Sequence, residues 1–160
     1  NSLLWELESL AKPFNLKSKE CSSTVDTLHE IAERINQRSL VILFSDLLDT
    51  QDNAQDFFSA LQHLKYNKHE VIVFHVVDRS LELNFEFDAR LHKFIDLESG
   101  EELEVNPVEL KDQYVTQMTL FEQELKMRCG QYKIDFIPVD CTKGFESVLI
   151  SYLIMRKKLY

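Results

Sequence analysis

The chain has 160 residues, of which 44% are hydrophobic and 28% charged, and its formal net charge is −9. This length suits one domain with a sizeable core, and the composition is that of a globular protein rather than a disordered one. The negative charge would repel a nucleic-acid backbone, so nucleic acid is excluded as the expected partner. With only Gly100, Gly130 and Gly144, the sequence has no Gly-rich turn for a dinucleotide or a P-loop. We expect a single domain over residues 1–160.

The cysteines and the chain ends bear on the cellular compartment. Cys21, Cys129 and Cys141 are far apart and form no CxxC pair, so neither a zinc ribbon nor a disulfide framework is expected. Reduced thiols and the absence of a long apolar run make the cytoplasm the default compartment. The chain opens without Met, directly in the helix-like pattern NSLLWELESL. We therefore expect a fragment of a longer protein, whose other parts could carry membrane helices.

The first half of the chain predicts three helices and two strands. Apolar residues at helical spacing predict a helix over 2–11 and another that begins at Ser23. The continuous apolar run in residues 39–45 predicts a strand buried on both faces, as at the centre of a parallel sheet. A third helix is predicted from near Asp52, followed by a buried strand over 69–78.

The segment 81–105 has a different pattern and predicts an inserted acidic β-hairpin. LELNFEF alternates like a strand, and FIDLESGEELEV predicts two strands that turn at the Ser-Gly pair. A solvated ribbon is the default interpretation of its carboxylates. The alternative is a recognition element for a basic partner. For that alternative the candidate partner-binding residues are Asp49, Glu98, Glu101 and Glu102.

The last third predicts a helix, a strand and a helix. Asn106 and Pro107 form a helix start, and Gly130 is a natural stop. Residues 134–140 predict a third parallel strand, and the last helix begins at about Phe145. Strands that alternate with helices predict a Rossmann-like α/β fold, in which about three parallel core strands are flanked by helices.

Each of the predicted parallel strands ends in an aspartate: Asp46, Asp78 and Asp140. Ligands of open α/β sheets bind outside the carboxyl ends of the strands, and carboxylates suit a divalent cation there. The alternative is that Asp ends the strand and caps the next helix. We favour capping for Asp78 and Asp140. For Asp46, which follows Ser45 directly after a buried strand, both interpretations stay open.

Four segments together resemble a known family: LHEIAERINQRSLVILFSDLLD, LQHLKYNKHEVIVFHVVD, FIDLESGEELEVNPVELKDQY and YKIDFIPVD. In this order they are similar to an uncharacterised bacterial family with a von Willebrand factor type A-like domain. Its members are often encoded beside MoxR-type AAA ATPases. The resemblance extends from about residue 20 to 155, and the combination of RSLVILFSD with DLESGEEL is its most specific part.

The resemblance implies a remnant of a metal-ion-dependent adhesion site. Asp46 matches the Asp that follows the fourth strand of such domains, with Ser45 before it. The loop hydroxyl falls at Ser22, or less surely at Ser23 or Thr24. The Asp-x-Ser-x-Ser motif of the first strand is absent. The chain is then the C-terminal part of a partial domain, and we expect no metal in it, whereas the intact domain would bind Mg²⁺ or Mn²⁺.

Two classes of function follow. The first is a non-enzymatic protein-interaction module that acts with a MoxR-type AAA ATPase in maturation or assembly of other proteins. Because the first strands of the family domain are missing, the strand over 39–45 would be an unpaired edge, which predicts homo-oligomers. The second class is an Mg²⁺-dependent phosphoryl-transfer or hydrolytic enzyme that uses Asp46, Asp49 and Asp78.

Overall fold

A computed structural model describes residues 24–48, 54–95 and 100–157. The predicted helix over 2–11 and the candidate residues Ser22, Asp49 and Glu98 lie outside the described residues. The elements in chain order are α1 (Thr24–Arg34), β1 (Leu40–Ser45), α2 (Ala54–Tyr66), β2 (Glu70–Val77), a short π-helix (Arg79–Leu83), β3 (His92–Ile95), β4 (Glu102–Val105), α3 (Pro107–Gln131), β5 (Asp135–Asp140) and α4 (Phe145–Lys157).

The main sheet has three parallel strands in the order β1-β2-β5. The second strand, β2, is central and almost entirely buried, as its mostly apolar sequence predicts. A separate antiparallel pair, β3 and β4, forms the predicted hairpin. The prediction of a mixed α/β fold with a three-stranded parallel sheet between helices is confirmed, and this arrangement is consistent with a Rossmann-like fold.

The larger core lies on one face of the sheet, under α1, α2 and α3. The helical spacing of apolar residues puts one stripe of each helix against this face. Val71 and Val73 of β2 are at its centre, and Phe57 and Phe58 of α2 pack edge to face in it. The buried residues from the three helices are Leu28, Ala32, Phe57, Phe58, Ala60, Leu61, Leu64, Leu125 and Cys129.

On the opposite face of the sheet, within the described residues, α4 packs over β2 and β5 and leaves the apolar side chains of β1 exposed. Tyr152 packs edge-on against Phe74 of β2, and both side chains are buried. Arg156, one turn further on, donates a hydrogen bond to the Tyr152 hydroxyl (2.6 Å) and forms an ion pair with Glu70 at the start of β2. These contacts fix the C-terminal half of α4 over β2 and β5.

Three local predictions were wrong. The strand over 39–45 is not buried on both faces, because β1 lies at the edge of the sheet among the described residues. LELNFEF is not a strand, because the Asp78 side chain accepts from two backbone N–H groups and starts a helical turn there. Finally, α3 continues past Gly130 to Gln131, and Lys133 makes the turn with a φ of 54°.

The longest helix, α3, has 25 residues and begins as predicted, with the Asn106 side chain accepting from the Val108 N–H. Its surface mixes apolar and charged residues along its whole length. None of the helices in the described part of the chain is both long enough and apolar enough to cross a membrane.

Candidate functional site

A tight turn follows β1 and holds the two predicted metal ligands of this strand. The Ser45 hydroxyl accepts a hydrogen bond from the Leu47 N–H (3.0 Å), and the Asp46 carboxylate accepts from the Leu48 N–H (3.2 Å). Leu47 has a φ of 59°, a left-handed conformation that costs a side-chain-bearing residue roughly 1–2 kcal/mol. Its side chain is completely buried, and this burial contributes about 1.5–3 kcal/mol in compensation.

His75 of β2 forms a hydrogen bond with the backbone of this turn. Its Nε2 lies 3.0 Å from the Asp46 carbonyl oxygen, and since a carbonyl can only accept, Nε2 carries the proton and donates. The ring is fully buried and packs on Phe136, and its Nδ1 has no hydrogen-bond partner among the described residues. Burial lowers the His75 pKa, although the Asp46 carbonyl opposes that shift. A neutral histidine therefore holds the turn in place.

Asp78 caps the π-helix that follows β2, which confirms the interpretation we favoured for it, whereas Asp140 closes a local turn five residues before α4 and does not cap that helix. The Asp78 carboxylate accepts from the N–H groups of Ser80 (2.9 Å) and Leu81 (3.0 Å) and from the Ser80 hydroxyl (2.6 Å). Asp140 accepts in the same way from the N–H and the hydroxyl of Thr142. The hydroxyl hydrogen bond is the largest cause that lowers the pKa of each carboxyl, so both stay ionised.

A fourth carboxylate, Glu82, joins this edge of the sheet and was missed by the sequence interpretation. It lies in the π-helix, and its carboxylate accepts from the Asp78 N–H (3.3 Å). Burial raises the Glu82 pKa, and the charges of Asp46 and Asp78 raise it further. The only sequence signal was that Glu82 follows Asp78 by four residues, a spacing that brings two side chains together when the segment is helical.

Only part of the predicted metal site can be seen, because its loop ligand Ser22 lies outside the described residues. Ser45 and Asp46 are already engaged by backbone N–H groups, and so are Asp78 and Asp140. Across the described ranges, no three His, Cys, Asp or Glu side chains are placed to hold one metal ion.

The free edge of β1 is the second candidate site. The Ser39 carbonyl accepts from the Glu70 N–H (2.9 Å), so this residue points its backbone groups at β2. Because successive residues of a strand point their backbone groups in opposite directions, Leu40, Ile42 and Phe44 turn theirs away from β2. In the described residues, β1 pairs only with β2. Among the described strands, this edge is therefore open to one further strand.

An apolar groove runs along the same edge, between β1 and α4, and is called here the β1–α4 groove. It encloses about 610 Å³. The side chains of Leu40, Ile42 and Phe44 form one wall and are 47%, 48% and 66% exposed. The opposite wall comes from α4 and contains Phe145, Leu149 and Leu153, which are also exposed. Contiguous exposed apolar surface of this kind marks interaction sites in soluble proteins.

The acidic hairpin carries the remaining predicted partner-binding residues. Glu102 of β4 forms an ion pair with Lys93 of β3 at 2.5 Å, so its charge is partly neutralised within the hairpin. Glu101 is exposed just before β4. Aromatic residues anchor the hairpin to α3, since Phe85 stacks with Phe94 and lies 4.5 Å, centroid to centroid, from Tyr114. The described strands of the hairpin are thus held against α3 by aromatic contacts.

In comparisons with known proteins, no family model, no curated protein and no solved structure matches the chain.

Proposed function

We propose that this chain is a non-enzymatic protein-interaction module and forms the C-terminal portion of a von Willebrand factor A-like domain. One observation carries the proposal: β1 has the sequence of a central strand but lies at an edge with its apolar side chains exposed. A strand of this composition is normally covered on both sides. The partner that completes it is a protein segment, because a strand edge is recognised by main-chain hydrogen bonds.

The expected binding mode is strand addition beside β1. The incoming segment would pair with the outward backbone groups of Leu40, Ile42 and Phe44 and place apolar side chains in the β1–α4 groove. Every second side chain of that segment would enter the groove, since side chains of a strand alternate. The resemblance described above makes a MoxR-type AAA ATPase the first partner to test, in a role in maturation or assembly of other proteins.

The test compares two substitutions at exposed apolar positions. Ile42→Lys puts a charge in the β1–α4 groove, whereas Leu103→Lys puts the same charge on the hairpin, where Leu103 is 63% exposed. Binding of a purified MoxR-type ATPase is measured by calorimetry with the wild-type chain and both variants. We expect loss of binding with Ile42→Lys alone. Equal binding by all three chains would refute a role for the groove.

The same edge makes self-association a further proposal. Two copies could pair through their β1 strands, since unpaired edges are templates for pairing. Sedimentation at increasing protein concentration measures this, and the Ile42→Lys chain is the monomeric reference. A wild-type chain that stays monomeric at the highest concentration would exclude homo-oligomers and would leave binding of another protein open.

An Mg²⁺-dependent enzyme is the alternative function, and the raised pKa of Glu82 beside Asp46 and Asp78 is the observation in its favour. The observation against an enzyme is that the Ser45 and Asp46 side chains accept hydrogen bonds from backbone N–H groups of their own turn. Calorimetric titration with Mg²⁺ and Mn²⁺, on this chain and on Asp46→Ala, separates the two. Tight binding that disappears in Asp46→Ala would favour the enzyme. Absent or millimolar binding in both would favour the interaction module.

A further inference from the structure

Two histidines from neighbouring helices meet on the face of the molecule opposite α4. His29 of α1 and His63 of α2 have their Nδ1 atoms 3.4 Å apart. Their ring centroids are 5.6 Å apart, and the ring planes are inclined by 48°. Both side chains are partly exposed, so solvent and small ions can reach them. The proposed interaction function does not use this pair.

The separation of the two nitrogens matches the spacing of two ligands on one metal ion. With metal–nitrogen bonds of about 2.0–2.1 Å and tetrahedral angles, two imidazole nitrogens lie roughly 3.3–3.4 Å apart. Hydrogen bonds from N–H groups are usually shorter, at about 2.7–3.2 Å, so a direct bond between the rings would be weak. A metal ion would use the lone pairs of both nitrogens and replace the proton between them.

The helices that carry the histidines are firmly packed against each other. Leu28 precedes His29 and is buried, and Leu64 follows His63 and is buried as well. In addition, the Asn67 side chain donates to the Ala32 carbonyl across the two helices (2.9 Å). Little backbone freedom would be lost when an ion binds, because the two rings are already positioned by the core.

A carboxylate lies one helical turn from the pair. Glu33 follows His29 by four residues on α1, so both occupy the same side of that helix. Glu33 and His63 also line a shared cleft of about 330 Å³. Glu33 must change rotamer to reach the ion, since the described residues contain no three acidic, His or Cys side chains already gathered around one point. Its exposed position permits that change.

We propose that His29 and His63 form a transition-metal site, with Glu33 as the third protein ligand and water in the remaining position. Two imidazoles and a carboxylate suit Zn²⁺, and imidazole ligands disfavour Mg²⁺ and Ca²⁺. The ion would link α1 to α2 and stabilise the folded chain in proportion to the logarithm of its concentration.

The experiment is a titration of the full chain with Zn²⁺, followed by calorimetry and by the imidazole NMR signals. We expect one ion per chain and shifts of the His29 and His63 ring signals. We also expect affinity to fall at least tenfold in both His29→Gln and His63→Gln. His92→Gln is the matched control, because His92 is a partly exposed histidine on the hairpin with its own partner, Asp88. Its affinity should equal that of the wild type.

Several outcomes would overturn the site. One is that the His29 and His63 ring signals of the wild-type chain do not shift when Zn²⁺ is added. Another is an unchanged Zn²⁺ affinity in His29→Gln or in His63→Gln. A third is a loss of Zn²⁺ affinity in His92→Gln as large as in those two variants. The NMR readout uses the wild-type chain and so does not depend on the folding of any variant. Unchanged affinity in Glu33→Gln would remove Glu33 from the ligand set. None of these results bears on the β1–α4 groove, so the proposed function is tested separately.

Discussion

Substitution of Phe44 tests whether the apolar wall of β1 is exposed in solution. Phe44 and Phe74 are stacked neighbours on the same face of the sheet, with ring centroids 4.8 Å apart, yet they are 66% and 7% exposed. Replacement of a buried Phe by Ala lowers the free energy of unfolding by about 3–5 kcal/mol. We expect that cost for Phe74→Ala. Only about a third of the Phe44 side chain is buried, so Phe44→Ala should cost roughly 1–2 kcal/mol.

Urea denaturation of both variants and the wild type measures the difference, with chain concentration kept low enough to prevent association. A cost for Phe44→Ala as large as that for Phe74→Ala would mean that the groove is covered in the chain itself. The free-edge argument would then be wrong. If the cost for Phe44→Ala grows with protein concentration, a second copy covers the groove.

Three further predictions concern single side chains. Burial lowers the His75 pKa in the folded state, so the contribution of neutral His75 to stability is complete above about pH 6.5 and is lost as the pH falls below that value. The urea midpoint of the wild-type chain should therefore fall between pH 7 and pH 5, and this fall should be smaller in His75→Gln. Burial raises the pKa of the Cys129 thiol to about 12, whereas Cys141 is exposed. Iodoacetamide should therefore modify Cys141 in the native chain and Cys129 only after unfolding, which mass spectrometry can measure. Labelling of Cys129 in the native chain would contradict its burial in the described core. Arg156→Gln removes the hydrogen bond to Tyr152 and the ion pair across to β2, so the last turn of α4 should exchange its amide hydrogens faster than in the control Lys157→Gln.

Most of the secondary structure could be predicted because local signals agree with the tertiary environment. The apolar stripe of α2 and the mostly apolar run of β2 each match the surface that the fold buries. Asn106 and Pro107 set the start of α3 by local hydrogen bonding and a fixed backbone angle. The prediction failed at residues 81–87, where the alternating pattern favours a strand. There the Asp78 cap and the burial of Leu83 and Phe85 stabilise a helical turn instead.

The candidate sites could be predicted only in part, since a local sequence pattern does not show which residues of different helices and strands come into contact. Asp46 and Ser45 were identified by their position after a buried strand, yet their engagement in a backbone turn depends on the fold of residues 46–48. Glu82 was missed because it reaches the strand ends through an unpredicted π-helix. The pairing of His29 with His63 spans 34 positions and required the packing of α1 on α2.

The sequence by itself determined the mixed α/β class, the parallel strands with their flanking helices, and the aspartates at the strand ends, because hydrophobic periodicity and capping are properties of short segments. Periodicity and composition did not show which strand lies at the edge: the apolar run indicated a buried β1, and only the resemblance predicted an edge there. The run in β1 is as apolar as that in β2, but only β2 has a neighbour on each side in the described sheet. Neighbours across a sheet come from distant parts of the chain, so no local pattern specifies them, and the exposed β1–α4 groove follows from that placement.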